Sequence, residues 1–106
     1  MKRLTNQREV LDGLKKFIVQ TIHPEKIILF GSRARGDAGD RSDIDLAIET
    51  QKTSSWTWSK FVLDLKEQNQ TLLPIDVVRL EKAKPSLKRM IEKEGIFLYK
   101  RAHRQD

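Results

Sequence analysis

The sequence predicts an α/β fold of the α+β type, a mixed β-sheet with helices packed on it. Three observations carry that prediction. Apolar residues recur at helical spacing in some segments and in short continuous or alternating runs in others. The two kinds of segment interleave in the order helix, strand, strand, helix, strand, helix, strand. No internal repeat or low-complexity linker interrupts the 106 residues, so a single domain over 1–106 is expected, with 100–106 read as a loose tail.

The first helix starts where Asn6, with Glu9 three residues on, resembles a capping box, and Val10, Leu11, Leu14, Phe17 and Ile18 then fall on one face. His23-Pro24 stops it, because proline cannot continue the backbone ladder and restricts the residue before it. Lys26 to Phe30 reads as a buried strand, broken by Gly31-Ser32. In Ile44-Asp45-Leu46-Ala47-Ile48 the alternation puts Ile44, Leu46 and Ile48 on one face, with Asp43, Asp45 and Ala47 on the other. Ser54 or Ser55 can cap a helix running to about Gln68, striped by Trp58, Phe61, Val62 and Leu65 and ended by Asn69-Gln70. Leu72 to Leu80 is the third strand, with Pro74 near its start. Pro85-Ser86 opens a helix carrying Leu87, Met90 and Ile91 that Gly95 can terminate, and Ile96 to Tyr99 adds a short edge strand.

Composition limits the function classes. No apolar run approaches the length that spans a bilayer, and the basic start Met1-Lys2-Arg3 lacks the apolar stretch of a secretory signal, so a cytoplasmic protein is expected. With no cysteine, a metal would have to be held by oxygen or by His23 and His103. A net charge of +6 suits an anionic partner, although Lys82, Lys84, Lys88, Arg89, Lys93 and the tail basics are also accounted for by a solvated helix face and a frayed terminus. Trp58 fits the apolar stripe, and Trp56 is placed near the helix start.

Residues 31–49, GSRARGDAGDRSDIDLAIE, hold two functional elements. The two glycines of Gly31-Ser32-Arg33-Ala34-Arg35-Gly36 superficially imitate a phosphate-binding P-loop. Asp37 and Ala38, however, stand where that loop needs Lys and then Ser or Thr. What remains is a turn leaving a strand, with a hydroxyl, backbone amides, room for close approach, and charge on Arg33 and Arg35 for phosphate oxygens. Downstream, Asp43 and Asp45 lie two residues apart on one strand face and repel unless a cation lies between them, which suits magnesium bridging carboxylates to nucleotide phosphates. Asp76 interrupts the apolar strand Leu73-Pro74-Ile75-Asp76-Val77-Val78 and supplies a third carboxylate. A structural reading of each aspartate alone (a turn cap, an arginine partner, a solvated sheet face) is available, but the three together with a Gly-Ser-Arg turn point to chemistry.

Gly31-Ser32-Arg33-Ala34-Arg35-Gly36, Ser42-Asp43-Ile44-Asp45-Leu46, whose Asp-x-Asp pair follows the Gly-Ser turn after ten intervening residues, and the later Ile75-Asp76-Val77 resemble the minimal nucleotidyltransferases of the DNA polymerase beta-like superfamily. The resemblance implies the nucleotidyltransferase fold and transfer of a nucleoside monophosphate, most often AMP from ATP, to an acceptor with release of pyrophosphate. It implies that Asp43 and Asp45 bind two Mg2+ ions, that Asp76 ligates the catalytic metal or helps deprotonate the acceptor hydroxyl, and that Gly31 and Ser32 hold the triphosphate while Arg33 or Arg35 neutralises it. The chain lacks room for the accessory domain with which larger members bind the acceptor. By the same resemblance, the expected acceptor is a separate, mainly helical HEPN-type protein, with this chain the antitoxin of a toxin–antitoxin pair. The competing class is a non-catalytic module binding nucleotide, protein or nucleic acid on the same fold. No membrane partner is expected, and the oligomeric state stays open.

Overall fold

In the computed structural model, which describes residues 7–39, 42–68 and 73–102, the polypeptide folds in the order α1 (Gln7–Ile22), β1 (Lys26–Phe30), α2 (Ser32–Arg35), β2 (Ile44–Glu49), α3 (Ser55–Glu67), β3 (Ile75–Arg79), a 3-10 turn (Leu80–Lys82), α4 (Pro85–Glu94) and β4 (Ile96–Lys100). The four strands make one mixed sheet in the order β3-β2-β1-β4. β1 is antiparallel to β2 and to β4, whereas β2 and β3 are parallel.

Strand alternation sends side chains to both faces, and each face has its own apolar cluster. Ile27 and Leu29 of β1, Ile44, Leu46 and Ile48 of β2 and Ile75 of β3 pack with Val10, Leu14, Ile18 and Ile22 of α1 and Phe61 and Leu65 of α3. The opposite face buries Ile28, Phe30 and Ala47 beneath Leu80 and Ile91, with Val78 and Leu87 at the margin. Thus α1 and α3 cover one side and α4 the other. The predicted alternation in β2 holds: Ala47, fully buried, belongs to the α4 side, and Asp45 shares its parity.

Element ends follow local chemistry. His23 closes α1 with a left-handed backbone, φ 48°. The Ser54 hydroxyl caps α3 by accepting from the Thr57 amide at 3.1 Å. At the far end of β2 and β3, buried Thr50 donates to Glu81 through its amide (3.0 Å) and its hydroxyl. Arg79 donates to both the Thr50 hydroxyl and Glu81, reaches the Thr53 carbonyl, and lies over the Trp58 ring at 5.7 Å. Burial alone would push the Glu81 carboxyl up, but the hydrogen bonds from Thr50 and Arg79 hold it below its ordinary value.

Several expectations are revised. The third strand is confined to Ile75–Arg79, Leu80 turning instead into the 3-10 segment, and Leu72 lies outside the described residues. Asn6, Asn69-Gln70 and His103 also lie outside them. Met90 is exposed rather than on the buried stripe of α4, which Ile91 occupies. Gly95 ends α4 without a left-handed backbone (φ −72°); its need for glycine is spatial, because a Cβ there would come within 2.3 Å of Ile28 Cγ2 and 2.4 Å of the Ile91 carbonyl. β4 runs on to Lys100, and the Arg101 amide donates to the Glu25 carbonyl at 2.8 Å.

Candidate active site

The site lies where β1 ends and β2 and β3 begin. After Phe30 the chain reverses through Gly31 (φ 75°) into the one-turn helix α2, whose Ala34 and Arg35 amides both donate to the Gly31 carbonyl at 3.1 Å. α2 is absent from the sequence reading because four residues are too few to display a helical period. Phe30 is in register with Asp45, so the turn stands beside that carboxylate. A Cβ built on Gly31 would lie 2.3 Å from Asp45 Oδ2; any other residue would occupy the space the carboxylate fills. Gly31 is therefore required twice, for its backbone conformation and for this contact.

Asp45 is also the register partner of Asp76 in the parallel pair, and neighbours in register share a sheet face. The lead-in is held too, Ile44 donating its amide to the Pro74 carbonyl at 2.9 Å. Asp43 stands exposed at the entry to β2. Burial first, then the negative charges of Asp76 and Asp43, raise the Asp45 carboxyl above its ordinary value, while Arg35 pulls in the opposite direction. The three aspartates singled out from sequence thus share one electrostatic neighbourhood.

Such a neighbourhood suits a hard cation, which would remove both the repulsion and the cost of partial burial. Among the described residues no three His, Asp or Glu side chains are grouped closely enough to enclose a metal by themselves.

The two arginines of the turn have different surroundings. Arg33 is half-buried and donates from Nε (3.0 Å) and Nη2 (2.7 Å) to the Ser42 carbonyl, and from Nη1 to Gln7 Oε1 (2.7 Å). The Arg35 side chain is 44% exposed and pairs with Asp37 (3.2 Å) and Glu94 (3.5 Å), which keep it charged. Ser32 opens α2 next to Gly31 and is half-buried. Glu94 and Gln7 were not singled out from sequence, because they lie far along the chain from the turn and no local pattern marks them; Ser42 entered only within the Ser42–Leu46 motif, and its part here is played by a backbone carbonyl.

No helix among the described residues is long and apolar enough to cross a membrane. The family model of polymerase beta nucleotidyltransferases matches residues 12–104. A Methanocaldococcus jannaschii protein named "Putative protein adenylyltransferase MJ1379" is 32% identical over 101 residues, 92% of this chain and 100% of that protein. Among solved structures, a chain from the crystal structure of a toxin–antitoxin with AMP-PNP superposes with a TM-score of 0.71 at 22% identity, covering 86% of this chain and 73% of that one. A chain from the tri-AMPylated Shewanella oneidensis HEPN toxin in complex with MNT antitoxin gives 0.69 at 20% identity, covering 91% and 74%. At these identities the structural likenesses show the shared fold.

Proposed function

This chain belongs to the polymerase beta nucleotidyltransferase family, and we propose that it is the protein adenylyltransferase of a toxin–antitoxin pair, moving AMP from ATP to a hydroxyl of a separate HEPN-type protein. The observation that carries the reading is the meeting of Gly31, Asp45 and Asp76 at one sheet end, with no room left for a side chain at the turn. The Methanocaldococcus jannaschii relative's name supports the reaction class, and the HEPN toxin complex among the structural neighbours supports the partner class.

In this reading the acceptor oxygen attacks the α-phosphorus of ATP, a new P–O bond forms, the α–β bridging bond breaks, and pyrophosphate leaves with its electron pair. Gly31 and Ser32 hold the triphosphate, and Arg35, exposed beside them, neutralises it, whereas the Arg33 guanidinium is engaged on the Ser42 carbonyl. Asp43 and Asp45 would hold Mg2+, which supplies charge neutralisation and in-line alignment when bound. Asp76 serves the acceptor side, as a ligand or by taking the hydroxyl proton. The chemistry asks for fixed carboxylates rather than a covalent nucleophile; Asp45 and Asp76 sit on strands, whereas Asp43, expected on the same strand face as Asp45, lies just before β2. We take residues 1–106 as one catalytic domain of the cytoplasm, its acceptor supplied by the partner.

The test is to incubate the chain with ATP labelled at the α-phosphate and Mg2+, with and without its co-expressed HEPN-type partner. Label on the partner, lost with Asp45→Asn, supports the reading. Tight Mg2+–ATP binding with no label transferred to any macromolecule would favour the non-catalytic module instead.

A further inference from the structure

Arg33 carries the same charge as Arg35 and lies as near to the Gly31-Ser32 turn in sequence, yet its guanidinium is held elsewhere. Two of its nitrogens converge on one oxygen, the carbonyl of Ser42, and a third reaches Gln7 of α1. That carbonyl belongs to the peptide unit joining Ser42 to Asp43. At its other end, the Arg33 backbone follows Ser32 within α2, which the Gly31 carbonyl ties down. One side chain therefore links α2 to the peptide that precedes the first aspartate. A second clasp lies beside it, where the Gly39 amide donates to Ser42 Oγ (2.8 Å) and the Ser42 amide to the Gly39 carbonyl (3.1 Å).

We propose that Arg33 is a positioning residue that sets Asp43 relative to the Gly31-Ser32 turn, rather than a ligand of the triphosphate. The inference rests on the reading of Asp43 as a metal ligand. Asp43 precedes β2 and has no strand pairing of its own, whereas Asp45 is held by register on both sides. A ligand placed only by the end of a loop needs an outside support, and a half-buried fork on its preceding peptide provides one. Lysine cannot reproduce this, because a single ammonium on a flexible stem lacks the rigid planar pair of donors.

Arg33→Lys and Arg33→Gln would be compared with the parent protein. In the ligand-free protein, amide exchange at Ile44, whose N–H bonds to the Pro74 carbonyl, reports on docking of the strand entry. Both variants should exchange faster there at an unchanged thermal midpoint. With AMP-PNP present, Mn2+ affinity measured by paramagnetic resonance should fall about tenfold in both variants, while metal-free AMP-PNP affinity stays within about twofold. Gln7→Ala, which removes the outer contact and keeps the fork on Ser42, should leave Mn2+ affinity unchanged, and every affinity is read at a temperature well below the lowest midpoint of the set, so that all the variants compared are folded. Restoration of parent Mn2+ affinity and exchange by lysine would overturn the proposal, since charge alone would then suffice. So would a fall in metal-free nucleotide affinity, which would make Arg33 a phosphate contact. A parent protein that binds no Mn2+ with nucleotide would instead refute the metal-site reading, while the exchange measurement still decides whether the fork holds the strand entry.

Discussion

Asp45 occupies the space into which a Cβ on Gly31 would project, 2.3 Å from its Oδ2. The positive φ of Gly31 adds a conformational demand that alanine meets poorly. Gly31→Ala is expected to destabilise the fold by about 1–3 kcal/mol and to push the Asp45 carboxylate off its position, so that AMP transfer is lost even where the protein remains folded. Calorimetric unfolding beside a transfer assay checks both parts.

The raised Asp45 carboxyl makes a pH prediction. Its folded-state value lies above the ordinary 3.8, so the folded state binds the proton more tightly than the unfolded chain does. Stability is therefore fullest below 3.8 and declines as pH rises through the folded-state value. Asp45→Asn, nearly the same size, should melt higher than the parent at pH 7, by on the order of 1–3 °C given the group's partial exposure. The difference should vanish in acid, and added Mg2+ should narrow it at neutral pH by stabilising the parent alone.

Asp76 stands across from Asp45 but on another strand, and its role should separate from that of the pair. Asp76→Asn is expected to keep Mg2+–ATP affinity within about threefold while transfer falls by about 100-fold or more. Its thermal midpoint should equal or exceed the parent's. Full transfer by folded Asp76→Asn would make the third carboxylate structural.

Ser32→Ala and Arg35→Ala test the turn as a phosphate cradle. Each should weaken Mg2+–ATP binding, by about fivefold to tenfold for the neutral hydroxyl and more for the charge, with little change in melting. Unchanged affinity in both would place the triphosphate elsewhere.

Glu81 lies away from the chemistry, binding Thr50 and Arg79 at the opposite end of β2 and β3. Its carboxyl sits below the ordinary 4.5, so its stabilisation is present above that value and is lost as pH falls through the folded-state value. Glu81→Gln should cost about 1–2 kcal/mol at pH 7 and little in strong acid, leaving nucleotide affinity unchanged.

Much of this was legible in the sequence because periodicity reports burial directly. Lys26–Phe30 and the alternation from Ile44 emerged with their boundaries nearly intact. The Ser54 cap and the Pro85 helix start also emerged, since each depends on local chemistry. The meeting of Asp45 with Asp76 could be suspected but not registered, because strand order and the parallel sense are tertiary facts. α2 was too short to leave a period. The different surroundings of Arg33 and Arg35 were invisible, because a backbone carbonyl and a distant glutamate decide them. Gly95 ends α4 as expected, but the nearness of Ile28 that demands glycine there is a tertiary constraint.

Because β2 and β3 run parallel, the chain must cross back through α3 before Asp76 can come alongside Asp45. The antiparallel β1–β2 pair needs no such crossover. During synthesis, a ribosome-bound chain that has emerged only through α3 already carries the Gly31 turn and both Asp43 and Asp45, but not the carboxylate assigned to the acceptor. The turn and the first two aspartates are thus local to one antiparallel pair, whereas the third carboxylate joins them only once the crossover is complete and β3 has docked.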